Sequence, residues 1–222
     1  TLFRSEPAVM PARGSAKRRH AARRLIALVL TALAACPGVS ALAQPTATDG
    51  WAAMQDGAVV LFRHATAPGG GDPPGFRLGD CATQRNLDDT GRDQARRIGQ
   101  AFRDRGIRVG AVASSQWCRA RDTARLAFGQ VPQEVEAFNS FFDTPDRREA
   151  QTTAAQRFLA SWRGPGVLVV TTHQVNITAL TGITPASGEG IVVRAEAAGL
   201  RVLGRRMGPI ARAGSNPSGG RA

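Results

Sequence analysis

Residues 58–65, Ala58-Val59-Val60-Leu61-Phe62-Arg63-His64-Ala65, decide how this chain folds. Five apolar residues run without a polar interruption and then stop at an arginine-histidine pair. An apolar run of this length without alternation predicts a strand buried on both faces. The pattern returns at Val167-Leu168-Val169-Val170-Thr171-Thr172-His173, where a run over 167–171 closes on a histidine. Between them, Val109 to Ala113 predicts a third core strand. Helical patterns separate the runs. The one opening at Leu87 carries Ala95, Ile98 and Phe102 as an apolar stripe, reaches about Arg105 and stops at Gly106. Further helices are expected over 119–128 and 149–162 and from Gln174 to Leu180, with a short one over 51–55 capped by Asp49. A short strand is expected over 133–138, and closing strands over 190–194 and 200–204 around Ala197-Ala198-Gly199. Strands alternating with helices predict an α/β three-layer sandwich, a mainly parallel central sheet flanked by helices.

Sheets of this kind bind ligands outside the carboxyl ends of their strands. Arg63 and His64 follow the first strand, and His173 follows the last core strand. Arg119 follows Val109–Ala113 in Ser114-Ser115-Gln116-Trp117-Cys118-Arg119-Ala120-Arg121-Asp122-Thr123-Ala124. Guanidinium forks match the geometry of phosphate oxygens, and a histidine beside them is held neutral and nucleophilic. Residues 66–80, with Ala67-Pro68-Gly69-Gly70-Gly71-Asp72-Pro73-Pro74-Gly75, must form a loop, and a loop this long beside a reactive residue is usually functional.

These three elements, in this order and spacing, resemble the histidine phosphatase superfamily, which includes the cofactor-dependent phosphoglycerate mutases. Leu87, Gly91, Gln94 and Ala95 are similar to the family's helix after the first loop, and the resemblance runs from about Ala58 to Leu203. It implies a phosphoglycerate mutase-like fold. It also implies a phosphomonoester hydrolase in which His64 becomes transiently phosphorylated, Arg63 and Arg119 grip the phosphoryl oxygens and His173 donates a further hydrogen bond. The chain departs from the family at Ala65, where glycine is usual. Thr66 and a glycine-proline loop replace the mutase-like Glu-Thr-x-x-Asn run, which argues against mutase activity. Gln174 stands where the acid phosphatase branch has aspartate after the second histidine. The mutase branch draws its general acid from the segment after the second arginine helix, so Glu136 and Asp143 are the candidate acids. The alternative is a non-catalytic phosphate-binding or envelope-associated module that has lost its acid.

The formal net charge of +12 is uneven: residues 1–43 hold seven of 29 basic residues and one of 17 acidic ones. Lys17 is the only lysine. Arginines scattered among acids, with no tyrosine, do not form the basic aromatic face of a nucleic-acid binder. The expected substrate is a phosphorylated small molecule or phosphosugar. Residues 1–43 read as upstream residues and a secretory signal, with Met10 as its start. Lys17 to Arg24 form the basic region, Leu25 to Ala35 the apolar region, and Ala41-Leu42-Ala43 the cleavage site. The competing site, Leu33-Ala34-Ala35-Cys36, resembles a lipobox and would anchor the protein to a membrane through Cys36. Export therefore predicts a periplasmic or secreted protein. Residues 44–57 are expected to be a leader, 58–204 the folded domain, and 205–222 a disordered tail. His64 and His173 are the only histidines beyond the signal segment. Cys81 and Cys118 remain after processing, and an oxidising compartment together with converging loops predicts that they pair. No cysteine-histidine cluster has metal-ligand spacing, so neither metal nor cofactor is expected.

Overall fold

The computed structural model describes residues 50–197 and 199–205. The expected signal segment, lipobox, Asp49 cap and most of the leader and tail lie outside the described residues. The two longest apolar runs become neighbouring parallel strands, β1 (Val59–Arg63) and β4 (Val167–Thr172), with Val60 opposite Val169. Four further strands are β2 (Val109–Ser114), β3 (Gln133–Glu134), β5 (Gly190–Glu196) and β6 (Gly199–Arg205). The sheet order is β3-β2-β4-β1-β5-β6. β3, β2, β4 and β1 are mutually parallel, β5 pairs antiparallel with β1, and β6 pairs antiparallel with β5 at the edge.

Successive side chains of a strand point to opposite faces, so an uninterrupted apolar run feeds two cores at once. Val60, Phe62, Val112, Val167 and Val169 pack with Ile98 and Phe102 of α1 (Asp89–Asp104) and with Ala124 and Ala127 of α2 (Cys118–Phe128). Val59, Leu61, Leu168, Val170 and Ile191 pack with Ala155 and Leu159 of α3 (Arg148–Ser161) and with Ile177 and Leu180 of α4 (Gln174–Thr181). Each such side chain fully removed from water contributes about 1.5–3 kcal/mol, which is why polar residues occur only at the ends of β1 and β4. Helices α1 and α2 touch backbone to backbone. A Cβ at Gly99 would lie 1.7 Å from the Ala127 carbonyl oxygen, so only glycine fits.

Helix α1 starts at Asp89 rather than at Leu87: the Asp88 carboxylate accepts the Gly91 N–H at 2.7 Å and caps it. Two further expectations are corrected. Residues 51–55 form turns rather than a helix, with the Met54 N–H on the Trp51 carbonyl at 3.2 Å. The chain must reverse there to enter β1, through Gly57 at φ 79 with its N–H on the Gly166 carbonyl. The strand expected over 133–138 stops after Glu134, and Glu136–Phe138 coil into a 3-10 turn. That turn delivers Phe138, fully buried, into the second core. Among the described residues, no helix is long and apolar enough to cross a membrane.

Candidate active site

Three adjacent parallel strands end at one edge of the sheet. The backbone holds the two outer ones a residue past their ends against the central one: the His64 N–H donates to the Thr172 carbonyl at 2.9 Å, and the Ser115 N–H to the Thr171 carbonyl at 3.0 Å. His173 caps α4 with an extended backbone, so its side chain is fixed by the strand-to-helix junction itself. The His64 and His173 rings lie edge to face, centroids 5.5 Å apart. The Ser115 hydroxyl is 2.8 Å from His173 Nε2 and accepts the Trp117 N–H at 3.3 Å. Arg119, in the first turn of α2, is 2 % exposed. Arg63, His64, Arg119 and His173 all line a single cavity of about 220 Å³, together with Arg85 and Gly69–Asp72.

The protonation states follow from this geometry. His64 Nδ1 is 2.7 Å from the Ala65 carbonyl, which can only accept, so Nδ1 carries the proton and Nε2 the lone pair. Burial lowers the His64 pKa to about 3, with the charges of Arg119, Arg85 and Arg63 acting in the same direction and the Ala65 hydrogen bond opposing. His173 is pushed well below the ordinary histidine value, first by burial and then by His64 and the same three arginines. Both rings are neutral at pH 7. Arg63 donates from Nη1 to the Pro185 carbonyl at 3.1 Å, and burial lowers its pKa. The Nε atoms of Arg63 and Arg119 are buried without a hydrogen-bond partner.

Asp72 and Arg85 complete the site, and sequence reasoning assigned neither of them. The Asp72 carboxylate takes Arg119 Nη1 at 2.8 Å and Nη2 at 3.1 Å, Trp117 Nε1 at 3.0 Å and the Arg85 N–H at 3.1 Å. Burial alone would raise the Asp72 pKa, but these donors and the Arg119 charge outweigh it and hold the group below the usual carboxylate value. Arg85 ties the loop down through Nε on the Gly71 carbonyl at 2.8 Å and Nη1 on the Ala67 carbonyl. Asp72 lay in view in the glycine-proline loop, where a carboxylate beside three glycines was the only signal. Arg85 lies in Thr83-Gln84-Arg85-Asn86, which carries no motif.

A disulfide joins Cys81 to Cys118, the residue before Arg119. The two acid candidates separate. Asp143 lines the cavity, as do Ser140 and Phe142. Glu136 does not: its exposed carboxylate pairs with Arg147 at 2.8 Å, because the 3-10 turn spends its inward position on Phe138. Behind Gly188 and Ser187, Gln94 accepts the Thr66 N–H at 2.9 Å and donates to the Ser187 carbonyl at 2.8 Å, tying the residues after His64 to α1. A Cβ at Gly91 would strike the Thr66 carbonyl oxygen at 2.0 Å, so glycine is required where α1 meets this loop.

The family model described as "Histidine phosphatase superfamily (branch 1)" matches residues 59–144, the stretch that carries Arg63, His64, Asp72, Arg85 and Arg119. Over that stretch the chain is similar to the histidine phosphatase superfamily. Solved structures similar to it include the protein histidine phosphatase SixA in complex with tungstate, at 15 % identity and TM-score 0.46, covering 68 % of this chain and 97 % of that one. A variant phosphoserine phosphatase of Entamoeba histolytica in complex with phosphoserine matches at 12 % identity and TM-score 0.46, covering 67 % and 95 %. A phosphoglycerate mutase of Thermus thermophilus matches at 22 % identity and TM-score 0.42, covering 67 % and 97 %. No curated protein matches the chain in sequence. The match over residues 59–144 supports a phosphatase- or mutase-type protein, and the mixed six-stranded sheet flanked by helices is the phosphoglycerate mutase-like fold expected of it.

Proposed function

We propose that this protein is a phosphomonoester hydrolase working through a phosphohistidine on His64, on a substrate outside the cytoplasm. The observation that carries the reading is the pair of buried, unpartnered Nε–H groups of Arg63 and Arg119 beside a neutral His64. Leaving one buried donor unmade costs about 1–3 kcal/mol, and more when the group is charged. Two guanidinium groups in one small cavity call for an anion between them, and a phosphoryl group supplies the oxygens.

In the proposed reaction the phosphoryl oxygens take the free N–H groups of Arg63 and Arg119. His64 Nε2 attacks phosphorus while the bond to the leaving oxygen breaks. Asp143 delivers a proton to that oxygen. In the second step water attacks the phosphohistidine, gives its proton back to Asp143, and the phosphorus–nitrogen bond breaks to release phosphate. Asp72 is unsuited to this proton work because four donors hold it ionised. Ser115 accepts from Trp117 N–H, which leaves its own hydrogen for His173 Nε2. The His173 proton then sits on Nδ1 as a donor for the developing charge. A hydroxyl, an aromatic face and a carboxyl at Ser140, Phe142 and Asp143 suit a hydroxylated leaving group, such as a phosphosugar. The Cys81–Cys118 bridge and the basic-apolar segment over 17–35 support an extracytoplasmic location.

The test is release of phosphate from p-nitrophenyl phosphate, with competitive inhibition by vanadate and loss of turnover in His64→Ala. Near-wild-type turnover in that variant contradicts the reading. Vanadate binding without turnover of any phosphomonoester leaves a phosphate-binding module instead.

A further inference from the structure

We propose that Asp72 is a positioning residue for Arg119: it captures the Nη1–Nη2 end of the guanidinium so that the Nε–Nη2 edge is left facing substrate. The inference rests on the phosphohistidine reading and assigns a role to a loop that the family resemblance leaves unexplained. A planar guanidinium presents two forks, one across its two terminal nitrogens and one along its Nε side. Asp72 takes the first, with both carboxylate oxygens engaged at 2.8 and 3.1 Å. Nη1 gives its other hydrogen to the Arg85 carbonyl at 3.4 Å, so that nitrogen is used up. Nε has no partner and is buried. The one edge of Arg119 left over is the Nε–Nη2 edge, and Arg119 lines the cavity with His64.

A carboxylate on a phosphate-binding arginine could instead be a competitor that leaves when substrate arrives. The rest of its coordination argues against that. Each Asp72 oxygen takes one hydrogen bond from Arg119 and one from a group outside the phosphate chemistry, the Arg85 backbone N–H or the Trp117 indole. Asp72 and Arg119 side chains are 8 % and 3 % exposed. Displacing the carboxylate by phosphate would strand the Arg85 N–H and the Trp117 indole N–H in a buried place, and leaving a buried donor unmade costs more than a made bond contributes. The loop is further fixed by Arg85 on Ala67 and Gly71 and by the Cys81–Cys118 bridge, so Asp72 approaches Arg119 from a constrained base. An amide at this position keeps one acceptor only and turns two hydrogens toward the existing donors, which releases the fork.

The experiment compares wild type, Asp72→Asn, Arg119→Ala and the double variant in hydrolysis of p-nitrophenyl phosphate, and records arginine side-chain ¹⁵N spectra of wild type and Asp72→Asn. Asp72→Asn is expected to lower kcat/KM about tenfold to a hundredfold in the wild-type background, the worth of one or two hydrogen bonds to a charged group. In the Arg119→Ala background it is expected to change kcat/KM by less than about twofold, because its effect passes through Arg119. Equal losses in both backgrounds, or faster turnover in Asp72→Asn, would overturn the proposal, the second outcome making Asp72 a competitor. In the spectra, Arg119 of wild type should show separate, slowly rotating Nη signals. An Arg119 already averaged in wild type sinks the proposal even if Asp72→Asn does not fold. Absence of both turnover and vanadate binding in wild type would strike the phosphatase reading, while the spectra would still judge whether Asp72 holds Arg119.

Discussion

Residues 66–86 and residues 139–143 both contribute to the cavity, yet they are tied to the domain by different means. The first segment is cross-linked along its length. Gln94 holds Thr66, Arg85 holds Ala67 and Gly71, Asp72 holds Arg119, Gln84 accepts the Cys118 N–H at 2.9 Å, and Cys81 is bonded to Cys118. The second segment is fixed at its base by buried amides. Asn139 accepts the Gln116 N–H, and its carbonyl takes Gln151 Nε2 at 2.9 Å and Asn176 Nδ2 at 2.8 Å. Beyond it, Phe142 is 63 % exposed and its N–H reaches only the Ser140 hydroxyl, at 3.3 Å. Groups that stabilise charge act best when fixed in advance, whereas groups that meet a leaving group need only be near it. The difference suggests that residues 66–86 serve the phosphoryl group and residues 139–143 the remainder of the substrate.

The largest effect expected is one of pH on stability. The positive, buried surroundings lower the His64 pKa from 6.5 to about 3, and His173 moves in the same direction. The unfolded chain therefore binds more protons than the folded one below the ordinary histidine value. Stability is full above about pH 6.5 and is lost as pH falls toward 3, by on the order of 5 kcal/mol for His64 alone. Urea unfolding across this range should show the loss, and His64→Asn should flatten it; an unchanged slope in the variant would show that His64 is charged or exposed in solution. Next comes the disulfide. Replacing Cys81 and Cys118 by serine opens a closure of 37 residues, worth about 4 kcal/mol in the chain-entropy model, and should lower turnover along with stability. Full turnover in the reduced protein would mean that the cross-linking does not serve the site.

Arg119→Ala should weaken vanadate binding at least tenfold, since hydrogen bonds to charged groups are worth about 1.5–3 kcal/mol each. A loss of twofold or less would reduce Arg119 to a loop anchor. Asp143→Asn tests the other wall. In the first turnover, before the phosphohistidine is hydrolysed, it should slow release of the alcohol from a sugar phosphate about tenfold and leave release of p-nitrophenol within about twofold, because a good leaving group needs little proton assistance. Equal slowing on both substrates would remove Asp143 from the acid role. Phe142→Ala should be smallest: KM changes by a few-fold on the sugar phosphate alone, with stability altered by less than about 0.5 kcal/mol.

Much of this was legible in the sequence. The runs at 59–62 and 167–170 announced strands buried on both faces, and every core strand expected from such a run is present. Residues following those runs fall together because parallel strands share one carboxyl edge. The short strand over 133–138 ended at Glu134 because Phe138 had to enter the core, and burial of one large ring overrode local strand propensity. Glu136 and Asp143 could not be told apart, since which carboxyl faces the cavity is decided by that turn. Arg85 and Asp72 were invisible as a pair. They lie in a loop without periodicity, and their partners are set by the path of the loop rather than by spacing.

The proposed chemistry turns on the chemical state of one nitrogen, His64 Nε2. Wild-type protein mixed with a rapidly hydrolysed aryl phosphate, quenched in alkali within the first turnover and analysed by peptide mass spectrometry, should carry phosphate on His64. The same modification should be absent in His64→Ala and should persist longer in Asp143→Asn with a sugar phosphate as donor. Turnover with no phosphate on His64 at any time point, or phosphate on His173 instead, would contradict the account.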